Sequence, residues 1–171
     1  MRIAVACDHG GFLKKCLILR HLQAEGHRVT DFGSYTPDSV DYPDYAIVAA
    51  ESVARGENDR AILVCTTGIG MSIAANKVRG IRAALCYNVE VAGTSRTHNN
   101  ANVLCIAGKY LDDKTALKIV DVWLKERSRG GRHKRRMDKI ASYESLGRLS
   151  GEKPATKRVS SPRPREKRVL R

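Results

Sequence analysis

Residues 61–77 read Ala61-Ile62-Leu63-Val64-Cys65-Thr66-Thr67-Gly68-Ile69-Gly70-Met71-Ser72-Ile73-Ala74-Ala75-Asn76-Lys77. An unbroken apolar run ends in a thiol, passes through small residues and two glycines, and continues with helical spacing. Short continuous apolar runs are the mark of strands buried on both faces, as in a parallel sheet covered by helices. The segment therefore predicts a strand over Arg60–Cys65 and a helix over Gly70–Lys77. Cys65 then stands at the carboxyl end of a strand, beside backbone N–H groups at a helix start. Such amides favour an anion, and they also favour a thiolate.

Working outward, the same alternation recurs. Strands are expected at Arg2–Cys7, His27–Phe32, Arg82–Cys86 and Asn102–Ala107, and helices at Phe12–Glu25, Tyr42–Arg55, Val89–Arg96 and Asp113–Lys125. Alternation of this kind predicts an α/β fold, a three-layer α/β/α sandwich with a mostly parallel open sheet. In such sheets ligands bind outside the carboxyl ends of the strands. After the break Ser128-Arg129-Gly130-Gly131, a last helix is expected from Arg132 to about Ser145, with Met137, Ile140 and Ala141 on its apolar side.

The chain has 171 residues, 42% of them apolar, and a net charge of +13. That charge is unevenly placed. Residues 1–124 carry 14 Lys/Arg against 13 Asp/Glu, residues 125–144 carry 8 against 3, and residues 145–171 carry 9 against 2. A near-neutral domain (1–146) is thus followed by a basic tail (147–171) of Ser, Pro, Lys and Arg. The tail has too few apolar residues to offset its ordering entropy and is expected to be disordered. The sequence contains no apolar run of membrane-spanning length, and its start, Met1-Arg2-Ile3-Ala4-Val5-Ala6, enters a strand pattern directly, so a cytoplasmic protein is expected. Five scattered cysteines suit reduced thiols better than a disulfide framework. The lack of C-x-x-C pairs or spaced His clusters argues against structural zinc.

Each candidate residue has two readings. Asp8-His9-Gly10-Gly11 follows the first strand; Asp8 is either a helix N-cap or a polar group held at the strand end, and His9 an exposed loop residue or a ligand contact. Cys65 is either a small buried hydrophobe, as expected for Cys7, Cys86 and Cys105, or a thiolate that takes a proton from carbon while nearby amides hold the resulting oxyanion. His98 either caps the negative end of a helix or, with Asn99, is aimed at a sugar. Arg132 and Arg136 lie at i, i+4 in GGRHKRR, a spacing that suits a phosphate monoester. Lys134 and Arg135 are expected to be a solvated face.

Taken in order, Asp8-His9-Gly10-Gly11, Asp41-Tyr42-Pro43, the Cys65–Lys77 segment, His98-Asn99-x-x-Asn102-Val103-Leu104 and Gly130-Gly131-Arg132-His133-x-x-Arg136 resemble the type B ribose-5-phosphate isomerases. That family groups with the lactose-pathway galactose-6-phosphate isomerases. The resemblance spans roughly residues 1–145. It implies a Rossmann-like fold, a homodimer or tetramer with active sites at the subunit interface, and no metal or organic cofactor. It also implies interconversion of ribose 5-phosphate and ribulose 5-phosphate through an enediolate. By resemblance, Cys65 is the base, and Thr67 with the amides of Gly68, Ile69 and Gly70 stabilises the enediolate. His98, with Asp8, opens the furanose ring. Asn99 binds a hydroxyl, Tyr42 lines the pocket, and His9, Arg132 and Arg136 hold the phosphate.

Two positions in the site depart from the family pattern. Thr66 stands where glycine is usual; its N–H is retained, so tolerance is expected, and the added bulk makes it the position to examine for sugar preference. Lys109 stands where arginine is frequent, replacing a fork by a point charge in a phosphate contact. A six-carbon sugar phosphate is the alternative substrate within the family. From a different class, the competing reading is nucleic-acid binding through the basic tail, which lacks aromatic residues for stacking, so that any such binding would be electrostatic and salt-sensitive.

Overall fold

The structure, a computed structural model, describes residues 1–146. The basic segment expected to be disordered lies outside the described residues. Five strands and six helices alternate as β1 (Arg2–Cys7), α1 (Phe12–Ala24), β2 (Arg28–Asp31), α2 (Tyr42–Ala54), β3 (Arg60–Cys65), α3 (Ile69–Ala75), β4 (Ala83–Leu85), α4 (Val89–Asn99), β5 (Val103–Ala107), α5 (Asp113–Lys125) and α6 (Arg132–Leu146). The sheet order is β2-β1-β3-β5-β4, and every pairing is parallel.

The strand period of two sorts the apolar side chains onto two faces. Ile3, Val5, Cys7, Ile62, Val64, Leu104 and Ile106 meet Ile18 and Leu22 of α1, Ala92 of α4, and Ala116, Ile119, Val120 and Trp123 of α5. Ala4, Ala6, Leu63, Cys65, Val103 and Cys105 meet Ala46, Ala49 and Ala50 of α2 and Met71, Ala74 and Ala75 of α3. The result is the expected three-layer sandwich, and Cys65 faces the α2/α3 side.

One boundary and one buried face differ from the sequence reading in ways that bear on function. Helix α4 runs three residues past Arg96, so His98 and Asn99 belong to its last turn. It stops because Asn100 adopts a left-handed conformation (φ 46°), a conformation Asn tolerates better than most residues. In α6, Ile140 and Ala141 are exposed and Met137 only half-buried; the buried side chain is His133.

Strand order reverses at β1 and β3, whose carboxyl ends open the crevice such folds use for ligands. One wall is fixed by a buried ion pair. Lys15 Nζ donates to both Asp31 carboxylate oxygens (2.9 and 2.7 Å) and to Ser34 O (2.8 Å). This ties α1 to the β2–α2 loop, and the Val40 amide of that loop donates to His9 Nδ1 (3.3 Å). Removing one partner of such a pair leaves a poorly solvated charge. The Lys15→Met variant should lose about 2 kcal/mol of stability, less than for a fully buried pair because Asp31 is partly solvated. A urea midpoint equal to that of the parent would contradict this.

Candidate active site

At the carboxyl ends of β1, β3 and β5, three loops pack closely enough to require glycine. A Cβ on Gly10 would fall 1.9 Å from Thr66 Oγ1, so Thr66 occupies space that a larger residue at position 10 would need. Gly68 has φ 77°, and a Cβ there would meet Leu85 Cδ1 at 2.5 Å and the Ile106 carbonyl carbon at 3.0 Å. That left-handed residue turns the chain from β3 into α3 and aims its amide back at the thiol.

The Gly68 N–H donates to Cys65 Sγ at 3.0 Å. Burial pushes the Cys7 thiol up to about 12 and raises those of Cys86 and Cys105 as well. Cys65 is also buried (4% exposed), and its sulfur is the one that receives the Gly68 amide hydrogen at the end of β3. The turn also corrects one expectation. The amides of Gly68, Ile69 and Gly70 are not all open to a ligand: Gly68 serves the thiol and Ile69 donates to Thr67 Oγ1 (3.2 Å). Only the Gly70 amide has no partner of its own among the described residues. The Tyr42 ring covers Gly70, and a Cβ there would lie 2.8 Å from it.

Asp8 is buried and its carboxylate accepts the Gly11 amide (3.0 Å), capping the short 3₁₀ turn His9–Gly11. The N-cap reading of Asp8 is therefore realised. His9 is exposed and its Nδ1 accepts the Val40 amide, which leaves Nε2 to carry a proton outward. His9, Thr66 and Lys109 line one cavity of 510 Å³ with Lys14 and Asp113. Sequence reasoning missed Lys14: it is buried on α1, donates to Leu111 O (2.8 Å) and pairs with Asp113, and nothing in the Lys14-Lys15 doublet distinguishes it.

The remaining candidates lie elsewhere. Each helix returns antiparallel to the strand before it, so α4 begins at the carboxyl end of β4 and delivers His98 and Asn99 to the amino ends of the strands. Asn102 confirms the position, since its carbonyl accepts the Ala61 amide at the start of β3 and its side chain accepts Arg82 N (2.7 Å) just before β4. Cys65 pairs with Ala107 at the opposite end. Four residues of strand rise, about 13 Å, separate those ends. Among the described residues, no hydrogen bond or ion pair links His98, Asn99, Arg132 or Arg136 to Cys65 or Thr67.

The amino end has its own order. One buried and two half-buried arginines satisfy the carbonyls that end α4 and α5: half-buried Arg60 donates to Trp123 and Leu124 O, half-buried Arg82 to Asn100 O, and buried Arg96 to Glu126 O, Asn100 Oδ1 and Ala101 O. Burial first, then neighbouring Arg60 and Arg82, pushes the Arg96 guanidinium down to about 10. Helix α6 docks on this end. Arg129 N donates to Thr97 O (2.9 Å), the Glu144 carboxylate accepts the Gly80 amide (3.3 Å), and the His133 ring stacks on His98, centroids 4.1 Å apart and 12° from parallel. Arg132 and Arg136 remain exposed beside that stack.

A family model described as Ribose/Galactose Isomerase matches residues 3–140. The chain belongs to this family. Within it, the chain is 45% identical to ribose-5-phosphate isomerase B of Escherichia coli over 143 residues, 84% of this chain and 96% of that one. It is 44% identical to the probable ribose-5-phosphate isomerase B of Mycoplasma genitalium over 144 residues, 83% and 95% of the two chains. Among solved structures it resembles ribose-5-phosphate isomerase B of Clostridium thermocellum (TM-score 0.85, 47% identity, 86% of this chain and 100% of that one). It also resembles the Mycoplasma genitalium enzyme with bound ribulose-5-phosphate (TM-score 0.81, 43% identity, 85% and 97%). Residues beyond 140 fall outside the family match.

Burial against α4, then the charge of His98 and of Arg132, Arg136 and Arg129, lowers the pKa of His133. The unfolded chain therefore binds more protons than the folded one as pH falls below about 6.5, and this residue's contribution to stability falls with it. The parent should lose more melting temperature between pH 7.5 and 5.5 than a His133→Phe variant. Equal losses would refute the assignment.

Proposed function

We propose that the chain is an aldose–ketose isomerase that interconverts ribose 5-phosphate and ribulose 5-phosphate through an enediolate. It would act as a homodimer, or a tetramer of such dimers, with each active site divided between two subunits. The observation that carries the reading is the partition of the candidate residues between opposite ends of one sheet. A second copy, placing its amino end against the first copy's carboxyl end, completes the set. Exposed Tyr42, Ile69 and Ile73, around the Cys65 turn, provide an apolar face for that contact.

In this reading the phosphate is held by Nε2 of His9, by Lys109, and by Arg132 and Arg136 of the other copy. His98 of that copy, with Asp8, opens the furanose ring, and Asn99 binds a hydroxyl. Cys65 takes the proton from C2 of the open aldose and returns it to C1. Thr67 and the Gly70 amide hold the enediolate oxygens that exist between the two transfers. No step calls on a metal. A cytoplasmic location accords with the five free thiols.

Cys65→Ala and His98→Asn should each reduce turnover of ribose 5-phosphate by about a hundredfold or more. Mixing the two variants under conditions that exchange subunits should recover about a quarter of parental activity, because half of the dimers are mixed and one site of each is intact. Absence of recovery, with exchange shown by mass, would mean that each chain holds a whole site.

The second reading, a six-carbon sugar phosphate, draws on the family description, which pairs galactose with ribose. Thr66 fills part of the cavity beside His9 and Lys109, so ribose 5-phosphate should be turned over faster than allose 6-phosphate or galactose 6-phosphate, and Thr66→Gly should narrow the ratio. A higher rate on a six-carbon substrate by the parent would favour the second reading.

A further inference from the structure

Helix α6 is strongly polar, yet its buried residue is an imidazole rather than an aliphatic side chain. An aliphatic residue would bury as well without a polar atom to satisfy. His133 lies face to face with His98, at 4.1 Å and 12°, and its Nε2 accepts from Arg132 Nε (3.4 Å). An Nε2 that accepts belongs to a neutral ring with its proton on Nδ1. The charged groups around the pair favour that state. Arg129 approaches from the α5–α6 connection and Arg132 and Arg136 from α6, while Glu90 of α4 and Glu126 after α5 line the 410 Å³ groove that His98 shares with Arg129.

We propose that His133 is a positioning residue for His98: its neutral ring fixes the orientation of the His98 imidazole and lets that ring gain and lose a proton without a second cation stacked against it. The inference rests on the reading of His98 as the ring-opening group. In that step the C1 hydroxyl gives up its proton, the C1–O4 bond breaks, and the ring oxygen receives a proton, so one group must take a proton and deliver one within a single encounter. A flat aromatic wall on one face resists turning of the His98 ring about its Cβ–Cγ bond, which keeps its nitrogens on the line of transfer. Because the neighbour is neutral, protonated His98 stacks as a cation on a π face rather than against another imidazolium.

The test separates ring opening from proton transfer at carbon, using full-length His133→Ala, His133→Phe and His98→Asn. Net conversion of ribose 5-phosphate requires both steps. Exchange of the C1 hydrogen of ribulose 5-phosphate with deuterated solvent requires only the Cys65 step, because that ketose is open-chain. His133→Ala should lower kcat on ribose 5-phosphate about tenfold with KM changed less than about threefold, and should leave the exchange rate within about twofold of the parent. His133→Phe keeps the stack and should restore most of the lost kcat. His98→Asn should show the His133→Ala pattern more severely. If His98→Asn behaves so but His133→Ala matches the parent, or loses conversion and exchange equally, or is not restored by Phe, the positioning role is overturned and the ring-opening reading stands. If His98→Asn converts ribose 5-phosphate at the parental rate, the reading of His98 fails and the proposal with it.

Discussion

The polarity of a parallel sheet governs everything else in this molecule. Once β1, β3 and β5 run the same way, their carboxyl ends share one edge and the ends of the returning helices share the other. Residues that follow strands (Asp8, His9, Thr66, Lys109) gather at the first edge. Residues that end helices (His98, Asn99) gather at the second, and α6 adds Arg132 and Arg136 there. No rearrangement of side chains brings the two sets together within one chain, because the core of the sheet lies between them. Association is therefore the simplest way for this fold to use both sets in one site.

The two edges are also built differently. The carboxyl edge is made of close backbone approaches, in which glycines let loops from β1, β3 and β5 interlock and a single amide is turned onto a thiol. Precision there comes from sterics. The amino edge is made of guanidinium groups seated on helix-terminal carbonyls, and Arg60 and Arg82 lie close enough to Arg96 to add to the lowering that burial imposes on it. Precision there comes from saturating the ends of α4 and α5, so that the turn carrying His98 and Asn99 is held by hydrogen bonds from three directions. An anionic substrate suits that arrangement, since the cationic edge supplies charge and the other a buried thiol that accepts an amide hydrogen bond.

How much of this was legible follows from the kind of signal each element carries. The sandwich could be read because continuous apolar strands and amphipathic helices obey fixed periods, and all five strands lie within a residue or two of their expected places. The role of Asp8 as a cap was one of two readings, and its contact with Gly11 is local enough to be read in sequence. The claim of Gly68 and Ile69 on their own neighbours was not legible, because it depends on a left-handed turn whose sense the letters Thr-Thr-Gly-Ile-Gly do not fix. His133 was visible only as a letter between Arg132 and Lys134, since its burial depends on α6 docking against α4, a contact between residues far apart in the chain. Lys14 was hidden for the same reason, its partner being 99 residues away.

Thr66 shows how a departure from pattern is absorbed. Its side chain lies where a Cβ on Gly10 would be, so the two positions act as one volume: a hydroxyl-bearing residue at 66 is compatible with this backbone only if position 10 has none. The carbonyl of Thr66 meanwhile accepts the Lys109 amide (3.2 Å), fixing the loop that carries the ammonium group. The residue that narrows the cavity thus also anchors the residue that charges it. A lysine lacks the fork of an arginine, but a hydroxyl beside it adds a second, rotatable donor on the same wall. The two departures at Thr66 and Lys109 line the same cavity, so an exchange at either position alters the shape and polarity of one surface.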